Sequence, residues 1–444
     1  MTRQQPAPSA SGPATAAARP RVLIVSHYAG ERAGGEGSIP LRLLGRLRAR
    51  GIEAWLLTHE SKRAELAEVL PAGLLERVRF TGGLPGFGLI YRLGKRLPPG
   101  PRTMAWGVTQ LERQLAMLPV VRGLVRELAI DVVHQPISVS PVIPSALRRV
   151  GVPVVMGPLN GGTGLPPAFT GRDSRLYALI KAARPAAGGV LNRLIRGRLS
   201  AAAVLVANER TRALLPGPVR PRARTLSDIG VVPADWPPGP PGPPGRAPGA
   251  GPARFLFTGR LVDWKGVDLL LDAFAGAALT VPAELDIIGD GPARQRLAAQ
   301  AQRLPGQPLV RFHGWLDPAD CAAMMRGCHV YVTAALQESG GISVLEAMSS
   351  ARPVIATAWG GHLDTLDESA GILVGVSSRA AVVRGLADAM ISLAGDPDRR
   401  ARLGAAGRQR VEQHYDWDGL TGQLLRVYAA VTGAGTGTRP AAAR

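Results

Sequence analysis

With 444 residues, 46% of them apolar, and a formal net charge of +20, the chain is too long for one hydrophobic core and too apolar to be disordered throughout. Two domains of about 200 residues each are therefore expected. Its two cysteines exclude a disulfide framework, and no stretch approaches the roughly 18 apolar residues of a membrane span.

Residues 1–20, rich in Ala, Pro, Ser and Gln, read as a disordered tail. Arg3 has no apolar stretch behind it, so the expected location is the cytoplasm. Short β-branched runs then alternate with helical patterns. Strands are predicted at 21–26, 53–58, 78–80, 131–134, 152–157 and 202–207, with helices between them, for example at 39–50 and 104–129. Each run is almost unbroken in apolar residues, so each strand should be buried on both faces, as in a parallel sheet covered by helices. Residues 21–235 make the first Rossmann-like domain.

This domain carries most of the charge. Residues 1–235 hold 33 Lys and Arg against 14 Asp and Glu, whereas residues 236–444 hold 20 against 19. Such a field suits an anionic partner such as a membrane surface or a lipid phosphate; an Arg-rich coding bias is the alternative. The stretch 84–126 interleaves Phe87, Leu89, Ile90, Tyr91, Met104 and Trp106 with Arg92, Lys95 and Arg96. That composition fits contact with anionic lipid at the inner face of a membrane, and fits an ordinary acceptor-domain helix as well. No nucleic-acid reading motif is present, so no nucleic-acid partner is expected.

Residues 236–252 (WPPGPPGPPGRAPGAGP) lack the amide hydrogens and the backbone stiffness of a helix or central strand and are assigned as the linker. The alternating pattern restarts with strands at 255–258, 285–288, 310–312, 330–333 and 354–357, making 253–431 a second Rossmann-like domain, with 432–444 a disordered tail. Cys321 and Cys328 lie on one face of a helical pattern and read as small buried hydrophobes. Two such sheets leave a cleft between them, and ligands gather at the carboxyl ends of the strands.

Two segments of the second domain point to chemistry. Gly259-Arg260-Leu261-Val262-Asp263-Trp264-Lys265-Gly266 follows a strand and opens a helix, placing two cations where a diphosphate would also meet oriented amide hydrogens. An Arg and a Lys five apart are equally common on a solvated surface. Glu338-Ser339-Gly340-Gly341-Ile342-Ser343-Val344-Leu345-Glu346 puts one carboxylate in a loop and another a turn inside the next helix, with bare backbone at the helix start. Glu346 shares a face with Ser343 and Ser350 and is free to accept from a diol; a capping Glu338 and a solvated Glu346 are the alternative.

In these segments the chain resembles glycosyltransferase family 4, of GT-B architecture: two Rossmann-like domains facing each other across a cleft. The resemblance rests on the Gly-Arg-Leu…Lys-Gly junction, on two glutamates separated by seven residues, on Leu-Asp-Ile-Ile-Gly-Asp-Gly-Pro (285–292), and on Arg-Pro-Val-Ile-Ala-Thr with Gly360 and Gly361 (352–361). It implies a retaining transferase that moves a sugar from a nucleotide diphosphate sugar to a polysaccharide, glycolipid or natural-product acceptor. Arg260 and Lys265 would grip the diphosphate, Glu346 the ribose, and Glu338 with the Gly340 and Gly341 amides the transferred sugar. In the first domain Gly34 and Gly35 resemble the family's glycine loop, and His134 resembles the histidine that reaches the donor sugar. The loop 157–162 (GPLNGG) resembles one in polysaccharide-assembly members and is placed on the acceptor side. Ser339-Gly340-Gly341 departs from the family's Gly-Phe-Gly, and Asp364 stands where many members have Glu.

No Asp-x-Asp follows a strand in the donor half. Asp396-Pro-Asp398 and Asp416-Trp-Asp418 sit at predicted helix starts, where Asp caps. No metal and no other cofactor is therefore expected, the two cations taking the place of a divalent ion.

Overall fold

A computed structural model describes residues 19–30, 35–84, 99–137, 140–170, 188–239 and 251–433. The predicted tails, apart from a few residues, and residues 240–250 of the predicted linker lie outside the described residues.

The described residues build two wholly parallel sheets. The first contains β1 (Val22–Val25), β2 (Ala54–His59), β3 (Val78–Thr81), β4 (Val132–Gln135), β5 (Val154–Leu159), β6 (Ala203–Val206) and β7 (Arg224–Thr225), in the order β3-β2-β1-β4-β5-β6-β7. The second contains β8 (Ala253–Thr258), β9 (Ala283–Ile288), β10 (Leu309–Gly314), β11 (Val330–Thr333), β12 (Val354–Thr357) and β13 (Gly371–Val374), in the order β10-β9-β8-β11-β12-β13. β1 lies between β2 and β4, with Val22 in register with Ala54 and Val132. Successive side chains point to opposite faces of a strand, and here both faces are covered. Val22 and Ile24 enter one core layer while Leu23 and Val25 enter the other. Each such burial stabilises by about 1.5–3 kcal/mol, so a charge at any of these four positions would break the first domain.

Sequence reasoning missed the edge strands β7 and β13: β7 is two polar residues, and β13, Gly-Ile-Leu-Val, is apolar but only four residues long.

Two expected boundaries are corrected. The helix Trp417–Thr432 was expected in the second domain. Instead Leu420, Leu424, Val427 and Tyr428, spaced to share one helix face, complete the first-domain core with Val22, Ile24 and Leu44. The Pro/Gly run was expected to join the domains. Ile229 and Val231, upstream of it, and Trp236, its first residue, already pack against the second-domain core, and Arg352 and Arg408 hold the Gly239 and Trp236 carbonyls. The run is thus flanked on both sides by second-domain residues. The crossing between domains is made instead by two segments side by side. Val231 N–H donates to Tyr415 O at 2.9 Å and Trp417 N–H to Val231 O at 3.0 Å.

Candidate active site

The loop after β8 is shaped by Gly266, whose φ of 61° is left-handed and where any Cβ would overlap the Ala334 carbonyl. This close approach knits the loop to the one after β11, where Leu336 N–H donates to Trp264 O at 2.8 Å. Lys265 and Glu338, 73 residues apart, are thereby brought into an ion pair. Burial pushes the Glu338 carboxyl up, but the Lys265 charge and hydrogen bond outweigh it and hold the group below its usual range, with the Gly341 amide assisting. Glu338 is therefore ionised at neutral pH. Arg260, on the same loop, is exposed and makes no ion pair among the described residues, so its guanidinium is open to an incoming anion.

Gly341, at φ 74°, is the N-cap of the helix Ile342–Ser349 and offers bare amides at the helix's positive end. The buried Tyr331 hydroxyl, 2.8 Å from Ser343 Oγ and 3.2 Å from Thr258 O, ties that helix to the sheet. Glu338 does not merely cap the helix, since its carboxylate is committed to Lys265. Glu346 is not a solvated residue either. Its side chain keeps an opening, yet the protein packed around it pushes the carboxyl up to about 8, with Arg42 of the first domain opposing. His362, which sequence reasoning missed, is buried against the same loop with Nδ1 3.0 Å from Thr357 O. Burial lowers its pKa and Glu338 opposes that.

The first domain reaches this site through the segment after β5. Thr163 O accepts from Gln337 Nε2 at 3.2 Å, Gly164 O from Trp359 Nε1 at 2.7 Å, and Leu165 and Phe169 pack on the second-domain core. Within the loop 157–162, expected on the acceptor side, Asn160 Nδ2 likewise donates to Ser339 O at 3.1 Å. Asp364 accepts from Asn208 Nδ2 and Arg210 Nη2, each at 2.9 Å, and Arg210 also donates to Gly360 O at 3.2 Å. Asn160 belongs to the loop 157–162 expected on the acceptor side, whereas Asn208, the N-cap of the short helix Glu209–Ala213, and Arg210 within that helix were missed because a single helical turn carries no motif of its own.

His134 is corrected. It does not face the cleft: it is fully buried, Nδ1 lies 2.5 Å from Tyr428 Oη and Nε2 2.5 Å from Gly157 O. Burial lowers its pKa to about 4, and neither ring nitrogen is left for a sugar. The returning helix that supplies Tyr428 was not foreseen, and with it came the partner that makes His134 structural. Gly34 lies outside the described residues, and Gly35 is the first residue of the helix Gly35–Ala49.

Asp396 and Asp416 accept from Arg399 N at 2.8 Å and Gly419 N at 3.1 Å, as helix caps do. Cys328 is buried and its thiol is pushed up to about 12 by burial, while Cys321 is partly covered. Among the described residues no group of three or more His, Cys, Asp and Glu side chains could hold a metal ion, and no helix is long and apolar enough to cross a membrane. Of the stretch 84–126, residues 85–98 and the Met104 and Trp106 side chains lie outside the described residues.

Residues 246–410 match the family model described as glycosyl transferases group 1. A glycogen synthase of Mycobacterium tuberculosis is 31% identical over 202 residues, 45% of this chain and 47% of that protein. A phosphatidyl-myo-inositol mannosyltransferase of Mycobacterium leprae is 37% identical over 185 residues, 41% of this chain and 47% of that protein. The chain thus spans about half the length of the curated relatives it matches. Across both domains the structure resembles Anabaena HepE in complex with UDP, with a TM-score of 0.63 and 16% identity over 92% of this chain and 100% of that one. It resembles sucrose-phosphate synthase of Thermosynechococcus elongatus with a TM-score of 0.63 and 18% identity over 94% and 100%. The fold is GT-B: two Rossmann-like domains facing each other across a cleft.

Proposed function

We propose that this chain is a retaining glycosyltransferase that binds a nucleotide diphosphate sugar on its second domain and transfers the sugar to a polysaccharide, glycolipid or natural-product acceptor held by the first. One observation carries the reading. At the carboxyl edge of the second sheet the Lys265–Glu338 pair stands beside a helix N-terminus, and Arg260, on the same loop as Lys265, is exposed and makes no ion pair among the described residues. Charge that grows on a departing diphosphate would be met there by fixed cations and amides, which stabilise it more in the transition state than in the ground state. Glu338 and the Gly340 and Gly341 amides would hold the sugar, and Glu346 the ribose hydroxyls.

Because Glu338 is locked to Lys265 it is a poor nucleophile. The reaction is therefore read as front-face attack, the departing phosphate taking the acceptor proton. Arg260 and Lys265 supply the charge that a divalent ion supplies elsewhere, so no metal is invoked. The partial likeness to a glycogen synthase and a phosphatidyl-myo-inositol mannosyltransferase, by name a polysaccharide enzyme and a glycolipid enzyme, supports an acceptor of either class. The basic first domain, with Val108, Leu115, Val190 and Leu194 exposed on its helices, suits an anionic membrane surface reached from the cytoplasm. Nucleic acid has no part in this reading.

Screening UDP- and GDP-linked sugars for thermal stabilisation and for release of nucleoside diphosphate tests the proposal. A donor at a hundredfold its Kd should stabilise the protein by about 2.7 kcal/mol and be turned over. Absence of both effects across the panel would end the transferase reading.

A further inference from the structure

The loop between Glu338 and the helix Ile342–Ser349 contains two successive carbonyls held from different domains. The Glu338 carbonyl accepts from Gly361 N–H at 2.8 Å, within the second domain. The Ser339 carbonyl accepts from Asn160 Nδ2 at 3.1 Å, from the first. A trans peptide unit is planar, and its C=O and N–H point in opposite directions. Fixing the Ser339 oxygen therefore fixes where Gly340 N–H points, and no side chain of Gly340 or Gly341 can do so instead.

The orientation of Asn160 follows from its neighbours. Both Asp228 oxygens lie 3.0 Å from Nδ2, and a carboxylate and a carbonyl can only accept, so the two amide hydrogens serve Asp228 and Ser339. Its Oδ1 lies 3.4 Å from Asn208 Nδ2, which in turn donates to Asp364. Asn160 is only 5% exposed, and among the described residues its amide hydrogens are given to Asp228 and Ser339 alone. Beside Asp228, Ile229 fills the space over Gly340, its Cδ1 2.9 Å from where a Cβ would stand. The crossing segment and the β5 loop thus both bear on residues 339–340.

We infer that Asn160 is a positioning residue for the transferred sugar: it aims the Gly340 amide, and it can do so only while the two domains are closed. This rests on the transferase reading above. Separating the domains would take Asn160 away from Ser339 and leave Gly361 in place, so the Ser339 carbonyl would lose its hydrogen bond to Asn160 while the Glu338 carbonyl kept its own. The grip on the sugar would then be completed by closure, an induced fit, while the diphosphate contacts at Arg260 and Lys265 would exist in either state.

The test uses the full chain with whichever of UDP-glucose and GDP-mannose it cleaves, and with UDP and GDP as sugar-free probes. Asn160→Ala should lower kcat about a hundredfold, the loss typical of one misaimed donor, and leave the Kd for the nucleoside diphosphate within about twofold. The exchange Asn160→Asp with Asp228→Asn keeps a hydrogen bond between the two positions but turns a carboxylate toward Ser339 O. It should fold with a Tm near wild type and stay as slow as the alanine variant. Wild-type kcat in the exchanged protein would overturn the inference, as would equal losses of sugar-nucleotide and diphosphate affinity in Asn160→Ala. If the wild-type protein cleaves neither donor nor any other in the panel, it is the transferase reading that fails.

Discussion

The two sheets are alike in architecture and opposite in how they use their polar residues. In the second domain the carboxyl-edge loops bring charged groups together, Lys265 against Glu338 with Glu346 in the helix that follows, and these stand in contiguous, recognisable segments. In the first domain His134, near the carboxyl end of β4, is turned inward and sealed by Tyr428 from the far end of the chain. A position at a strand's carboxyl end is thus no guarantee of a functional role; what decides it is whether another element covers that end.

Substitutions can break this contrast or sharpen it. Glu338→Ala should cause the largest loss, about 10²–10³-fold in kcat for the donor, measured as initial rates of nucleoside diphosphate release. Arg210→Ala removes a charge-assisted hydrogen bond across the cleft at Asp364. Such bonds are worth about 1.5–3 kcal/mol, and kcat/KM should fall about tenfold or more while the individual domains stay folded. His134→Phe should do the reverse. It strands the Gly157 carbonyl and the Tyr428 hydroxyl, costing about 2–4 kcal/mol in denaturant unfolding, with kcat of the folded protein unchanged. A large kcat loss without destabilisation would return His134 to the active site.

The smallest effect is on pH dependence. With the Glu346 carboxyl pushed up to about 8 by burial, it is mostly protonated at neutral pH and can accept from two ribose hydroxyls only after losing its proton. Nucleoside diphosphate affinity should rise between pH 6 and 8, with proton release on binding seen by calorimetry in two buffers of different ionisation enthalpy. Glu346→Gln should flatten the profile. In the free protein the same raised pKa means that the stability Glu346 contributes is complete below its unfolded value of 4.5 and is lost as the pH climbs through about 8.

The strands of both sheets were legible in the sequence because burial on both faces forces near-continuous apolar runs; β11 and β12 fall at the predicted residues and several others are offset by a residue or two. The Lys265–Glu338 juxtaposition was legible only through the two motifs together, since neither segment alone says that a glycine will let the loops touch. What escaped was everything that depends on the chain returning. The helix Trp417–Thr432 has an ordinary amphipathic pattern that does not say which sheet it will cover. The Pro/Gly run reads as the interdomain linker by composition, yet the crossing is made by 226–231 and 415–417, whose sequences carry no such signal. Asn160, Asn208 and Arg210 matter through partners more than 150 residues away, a relation no local pattern records.

The central claim is that Lys265, held beside Glu338, neutralises charge growing on a departing diphosphate. The most direct measurement is kcat of Lys265→Ala on the cleaved donor, set beside its Tm. The account predicts a fall of a hundredfold or more in a protein that still unfolds cooperatively. A kcat within twofold of wild type would contradict it.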